Sequence, residues 1–328
     1  MTKKYNAIVV LGFGSTGSSA VVDLLREFET YKSFGTEFRL IKDPDGIMDL
    51  EDALVNNWII KKDDTAIKRF KKLTDILGRE TSKFSSFGKN YNKYCKGNFF
   101  NLTEKYINRL VDFSYEGSWI GNDYSMNWFD NILKKLKRKI GIKRDKIMFF
   151  SCLSKKKFYS LTKDYLNKIM KSCVDNSNVD NIILDQAVSP FSIKRALKYF
   201  YSCKIILVHR DPRDHYLEGR NRRFIPSDIE KFIKWYKNMK MKSQHDQFSS
   251  TKILNINFED LVLNYKETFN IILNFLGEDK KIHIEKGKHF DYERACNGIK
   301  LWEKKINLKY KQQISKIYTN LSEYFFEF

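Results

Sequence analysis

Residues 7–23 read AIVVLGFGSTGSSAVVD: a short apolar run, a turn of glycines and hydroxyl side chains, and an apolar pattern that resumes at Ala20. A β-rich apolar run that breaks at glycine reads as a strand buried on both faces. Beyond it, Val21, Leu24, Leu25 and Phe28 share one face of a helix. A glycine turn between such elements binds anions for general reasons. The first helical N–H groups lack intrahelical partners, the macrodipole is positive there, and missing side chains let a ligand approach the backbone. Two parsings compete with a purely structural turn. As Gly12-x-Gly14-x-x-Gly17 the turn matches the dinucleotide fingerprint, which also needs an acid at the end of the second strand, where Asp43 is available. Alternatively, the hydroxyls of Ser15, Thr16, Ser18 and Ser19 beside bare N–H groups make a nest for a phosphosulfate, which needs donors but no metal. A Walker-type NTPase is disfavoured, because Ser18 follows Gly17 where that motif requires lysine.

Further runs of the same kind are FRLI (38–41), IMFF (147–150), IIL (182–184), KIILV (204–208) and KILNI (252–256). Helical patterns lie between them, for example Ile193, Leu197 and Phe200. This alternation predicts an α/β fold with a mainly parallel sheet flanked by helices. Residues 54–144 depart from it, with aromatic and Asn-rich loops and no convincing buried strand, and read as a helical insertion capping the active edge of a single domain, 1–328. Ser227 to Glu230, SDIE, is a capping box for a helix carrying Phe232, Trp235 and Tyr236. Residues 252–277 read as strand, acidic turn and helix, stopped by Gly277.

The 328 residues are 42% hydrophobic, enough for a core, and carry 60 Lys and Arg against 40 Asp and Glu, a net charge of +20. Such a surface attracts anions: nucleotides, acidic glycans, nucleic acid or an anionic membrane face, to which peripheral attachment is compatible. The basic runs KKLKRK (134–139) and KKK (155–157) read as solvated helix faces and loops, so no nucleic-acid partner is expected. Cys95, Cys152, Cys173, Cys203 and Cys296 are scattered singly, as in a reducing cytoplasm. The apolar run at Ala7–Leu11 is too short for a signal peptide or membrane span, and no other stretch reaches that length.

A second decisive stretch is KIILVHRDPRDHYLEGR (204–220), a buried strand delivering His209 and Arg210 into a turn and helix. With the opening motif it resembles the two nucleotide-binding motifs of sulfotransferases that use 3′-phosphoadenosine 5′-phosphosulfate (PAPS). NFEDLVLNYKETFNIILNFLG (257–277) is similar to that family's acidic-turn helix, and CNGIKLWEKKI (296–306) to a loop that closes over the nucleotide. The resemblance implies a P-loop-like sulfotransferase fold with PAPS as co-substrate and no metal. Gly14, Ser15, Thr16, Gly17, Ser18 and Ser19 would hold the 5′-phosphosulfate, Arg210 the 3′-phosphate, and Gly298 and Lys300 would close the site. Two positions depart from the family pattern. Ser15 stands where Lys or Arg is usual, with Lys42, Arg220 and Lys300 as candidate replacements, and Glu218 stands where serine is common, with Arg220, Arg222 or Arg223 as compensating cations.

Sulfuryl transfer needs an aligned acceptor hydroxyl, a base, and donors for the charge that develops. Carbohydrate-directed relatives often use a carboxylate base, and Glu37, Asp43 and Asp185 are the candidates, each near a predicted strand end. His209 and His215 read as structural or nucleotide contacts. Tyr91, Tyr94, Tyr115, Trp119, Tyr124 and Trp128 give the insertion the composition of a sugar-binding cap, a reading favoured over that of ordinary core aromatics. The expectation is a cytoplasmic sulfotransferase acting on a carbohydrate, a surface glycan or its precursor, with a lipid-linked or small-molecule acceptor as the other option. An NAD(P)-dependent oxidoreductase and a non-catalytic nucleotide-binding module are the alternatives.

Overall fold

From Ala7 onward every residue of β1 (Asn6–Gly12) is buried, as a strand with neighbours on both edges must be. The computed structural model describes residues 3–81, 88–117, 146–175, 178–244 and 251–328, with Trp119, Trp128 and Ile132 placed singly. Two units result: residues 1–38 with 173–328, and residues 39–172. In the first, β1 is followed by α1 (Ser18–Leu25) and β2 (Tyr31–Ser33). The second contains α2 (Lys62–Gly78), α3 (Phe99–Leu110), β3 (Phe113–Gly117), β4 (Lys146–Phe150) and α4 (Lys155–Ser172). The first then resumes with β5 (Asn181–Asp185), β6 (Ser202–His209), α5 (Pro212–Asn221), α6 (Ile229–Gln244), β7 (Ile253–Asn257), α7 (Phe258–Leu263), α8 (Tyr265–Leu276) and α9 (Lys311–Leu321).

The first unit is built on a five-stranded sheet in the order β2-β5-β1-β6-β7, and every pairing is parallel. This is the α/β architecture the alternating pattern predicts. Val21, Leu24 and Leu25 of α1 and Phe269, Ile272 and Leu273 of α8 pack in one cluster with Ile8, Val10, Ile206 and Val208 of the central strands. Phe28 joins that cluster from beyond the end of α1. At the far end of α8, Gly277 takes a left-handed φ of 78° and donates to the Leu273 carbonyl. Lys204 Nζ donates to the Phe275 and Leu276 carbonyls at 2.8 and 2.7 Å, a cation at the negative helix terminus. The cap of α6 lies one residue later than predicted: Asp228 Oδ1 accepts from the Lys231 N–H, while Ser227 offers its carbonyl to the Tyr216 hydroxyl.

Two predicted strands are corrected. FRLI is a turn, because the Leu40 and Ile41 carbonyls accept the Ile47 and Met48 amides and close the chain on itself. Its apolar character reflects full burial of Phe38, Leu40 and Ile41 rather than sheet pairing. The strand beside β5 is β2, whose contact is prolonged by Phe34 N–H to Ile183 O at 3.0 Å and Phe38 N–H to Asp185 O at 2.7 Å. IMFF does form a strand, β4, but it pairs antiparallel with β3 in a separate two-stranded sheet.

That hairpin belongs to the second unit, where Tyr106 of α3 stacks on Tyr165 of α4 at 4.2 Å. Their hydroxyls are satisfied by Thr162 and Thr103. Asp63 and Asp64, at the start of α2, accept the Ser151 and Phe149 amides, each at 2.9 Å. The run at 155–157 is exposed on α4, as read from the sequence, whereas 134–139 and Tyr124 lie outside the described residues. Among the described residues no helix is long and apolar enough to cross a membrane.

Candidate functional site

The turn after β1 winds through three left-handed positions, Gly14 (φ 78°), Ser15 (φ 57°) and Gly17 (φ 87°). Strain of this kind at a non-glycine residue marks a constrained loop. Gly17 has a second reason to lack a side chain: a Cβ there would stand 2.3 Å from the Phe258 ring. Being glycine, it offers no side-chain cap to α1. The hydroxyls diverge. Thr16 Oγ1 accepts from the Phe13 N–H at 3.2 Å, and Ser18 Oγ accepts from Gln186 Nε2 at 2.8 Å. Ser15 Oγ is buried and has no hydrogen-bond partner among the described residues.

Arg210, at the C-terminal end of β6, is 7% exposed. One guanidinium nitrogen donates to the Ser15 carbonyl at 2.7 Å and another to the Gly298 carbonyl, so this side chain ties the turn to a loop near residue 300. The third nitrogen, Nε, is buried without a partner among the described residues. Phe258 lies beneath, its ring centroid 5.1 Å from the guanidinium carbon.

These groups wall a cleft of about 310 Å³ at the C-terminal edge of the parallel sheet, where ligands of open α/β sheets bind. Ser15, Gly17, Ser19, Arg210, Glu218 and Gly298, all singled out in the sequence, line it. Gly14, Thr16, Ser18, Arg220 and Lys300 do not. Arg220 rests 4.1 Å from the Tyr310 ring centroid, and Lys300 Nζ lies 4.7 Å from that of Phe328. Glu218 is paired with Arg222 at 2.7 Å, and two further acids of the lining, Asp23 and Asp291, are engaged by Arg26 and by the Arg294 amide. Phe258, His289, Arg294 and Asn297 also line it and were not found from the sequence. NFED flagged the strand end at Phe258, but nothing local signalled that its ring would support the cleft.

The helix after Arg210 is anchored by carboxylates. Asp211 caps α5 by accepting the Arg213 N–H and holds the Arg213 guanidinium at 2.7 Å. Asp214 accepts the Lys300 and Leu301 amides at 2.9 and 2.6 Å, fixing the loop whose Gly298 carbonyl meets Arg210. Burial pushes the Asp214 carboxyl up to about 7, against the opposing pull of Arg210. Glu259 accepts the Asp211 amide and is likewise raised by burial to about 7. His215 is pushed down to about 3 by burial and then by the charges of Arg210 and Lys240. His209 is lowered to about 4, chiefly by burial, with Lys240 Nζ 3.1 Å from its Nδ1 and Asn255 at its Nε2. Both imidazoles are therefore held in the neutral form at pH 7.

The three carboxylates separate. Glu37 precedes Phe38, whose N–H is bonded to the Asp185 carbonyl, so the backbone at Glu37 runs past the end of β5. Asp43 belongs to the second unit and pairs with Arg39 at 2.6 Å. It does not end a strand, and the acid that the dinucleotide parsing requires is missing from its place. Tyr91, expected among possible sugar-stacking rings, is fully buried and accepts the Arg39 N–H at 2.6 Å. Phe113 and Tyr115 of β3 are exposed, and Phe113 stacks on Phe150 at 4.8 Å.

Chemically, the cleft is lined by the backbone of the turn, by hydroxyls and by a guanidinium, groups that suit an anion. Residues 7–281 match the family model described as the sulfotransferase family. No curated protein matches the chain. Among solved structures, a sulfotransferase domain from the curacin biosynthetic pathway is 11% identical, with 98% of both chains covered and a TM-score of 0.42. The sulfotransferase domain of the Synechococcus olefin synthase is also 11% identical, with 96% of each chain covered and a TM-score of 0.40. A sulfotransferase of Mycobacterium tuberculosis is 9% identical, covering 90% of this chain and 76% of its own, with a TM-score of 0.34.

Proposed function

Because this chain belongs to the sulfotransferase family, we propose that it transfers a sulfuryl group from PAPS to a hydroxyl of a carbohydrate acceptor, a surface glycan or its precursor. The observation that carries the donor assignment is Arg210, lining the cleft and fastened to the carbonyls of Ser15 and Gly298, which also line it. A guanidinium so fixed holds positive charge at the cleft, and a phosphate suits its planar fork. When bound, PAPS supplies an activated sulfuryl group and a leaving phosphate. The first turn of α1, Ser15 and Ser19 donate to its anionic end, and the Phe258 ring supports the nucleotide side of the cleft. Arg210, bonded to the carbonyl of Ser15, brings positive charge to the turn where the family's usual lysine or arginine is absent. Glu37 removes the acceptor's proton, with Asp185 as the neighbouring carboxylate. Asp43 is the weaker candidate, because its carboxylate is already engaged by Arg39 in an ion pair. Exposed rings at Phe113, Tyr115, Trp119 and Trp128 support a sugar acceptor. Scattered cysteines support a cytoplasmic setting.

Calorimetric titration with 3′-phosphoadenosine 5′-phosphate and, separately, NADH tests the donor. Binding of the former alone is expected, and binding of NADH alone overturns the proposal. With a responsive acceptor, Glu37→Gln should lower kcat by about 10²–10⁴ and leave nucleotide affinity intact. An unchanged kcat would move the base to Asp185.

A further inference from the structure

A segment that touches no part of the cleft grips both of its walls. Asp211, adjacent to Arg210, spends one carboxylate oxygen on the Phe326 N–H at 3.1 Å. Its ion-pair partner Arg213 is enclosed by rings, with the guanidinium carbon 3.8 Å from the Trp302 centroid, 4.1 Å from Phe325 and 5.0 Å from Tyr318. Arg213 also donates to the Tyr318 hydroxyl at 2.8 Å. The side chains of this pair are 5% and 0% exposed, so the cation is held by rings and one carboxylate with almost no water. Phe328 reaches the other wall. Its ring lies 5.3 Å from Trp302 and 4.7 Å from Lys300 Nζ, just beyond the loop whose Gly298 carbonyl receives Arg210.

We propose that Phe325–Phe328 form a brace that holds the Gly298–Leu301 loop against α5 and so keeps the nucleotide cleft assembled, a role that rests on the nucleotide reading above for its consequence but not for its mechanics. These residues position and do not contact the ligand. A buried ion pair specifies geometry more than it adds stability, and here the geometry specified is the separation of the cleft's walls. Without the brace, Asp214 still bonds the Lys300 and Leu301 amides, but the rings that close over Arg213 and Trp302 are gone. The loop then opens locally more often, and the apparent dissociation constant rises in inverse proportion to the closed fraction.

The test compares the whole chain, a chain ending at Tyr324, and a Phe325→Ala/Phe328→Ala variant as a milder perturbation should the shortened chain fold poorly. Hydrogen exchange of the peptide containing Lys300 and Leu301, measured without ligand, is expected to quicken at least tenfold in both altered chains while the β1 and β6 amides stay protected. Titration with 3′-phosphoadenosine 5′-phosphate is expected to show affinity at least tenfold weaker, with a raised donor KM and an unchanged kcat. Unaltered exchange at Lys300 and Leu301 overturns the brace. So does an equal loss of protection throughout the sheet. Failure of the whole chain to bind the nucleotide overturns the donor assignment instead, and the exchange result still decides the brace.

Discussion

Replacing Gly17 by alanine separates two costs that the structure keeps distinct. The first is conformational: φ is 87°, and an L-residue held in the left-handed region pays about 1–2 kcal/mol. The second is steric, since the new methyl would stand 2.3, 2.6 and 2.9 Å from three carbons of the Phe258 ring. That ring is 5% exposed and cannot swing into solvent, so relief requires core displacement, typically about 1–3 kcal/mol. The expected loss is therefore about 2–5 kcal/mol. Gly14 supplies the control. Its φ of 78° is similar, yet the nearest atom to an added Cβ is 3.9 Å away, so Gly14→Ala should cost only the conformational share, about 1–2 kcal/mol. Urea unfolding followed by tryptophan fluorescence measures both. Adding Phe258→Leu should be less harmful in the Gly17→Ala background than alone, with a coupling of about 1 kcal/mol or more, as expected for residues in contact. If Gly17→Ala is no worse than Gly14→Ala, or if the two sites do not couple, the close approach of turn and ring is wrong.

Arg210→Lys removes a planar fork that serves two carbonyls at once, and should weaken 3′-phosphoadenosine 5′-phosphate binding at least tenfold, about 1.4 kcal/mol by calorimetry. Glu218→Gln removes an acid from the cleft and releases Arg222, so nucleotide affinity should rise a few-fold at low salt and converge with the unaltered protein at 1 M salt. The pH dependence of stability should change in a defined direction in Asp214→Asn. A carboxyl raised from 3.8 to about 7 contributes stability below pH 4 that is lost as pH climbs through 7, whereas His209 and His215, lowered from 6.5, contribute stability above pH 6.5 that is lost toward pH 4 and pH 3. These slopes oppose one another between about pH 4 and 6.5, so the variant's unfolding free energy should rise more steeply with pH than that of the unaltered chain; a parallel profile would refute the assignment to Asp214.

The sheet was legible because AIVVL, IIL and KIILV are buried on both faces and bounded by turns, a pattern that depends on little beyond local composition. FRLI carries the same composition for a different reason, burial inside a turn, and periodicity cannot separate the two in four residues. The hairpin of β3 and β4 was missed as a pair because β3 is exposed along its length apart from the half-buried Gly117. At the site, glycines and Arg210 were visible because each answers a backbone or charge requirement at a strand end. Phe258 and Asp214 were not, since one acts through a ring laid under a distant turn and the other through amides 86 and 87 residues away. The brace at Phe325–Phe328 is likewise a product of tertiary packing.

The guanidinium of Arg210 fastens to carbonyls 195 positions before it and 88 after it. During synthesis, a chain that has grown only through the second motif owns the arginine and the glycine turn but not the loop that carries Gly298. A product stopped before residue 298 therefore leaves this guanidinium with only one of its two carbonyl anchors. The cleft is thus a junction of three distant parts of the chain, and it exists only where all three have met.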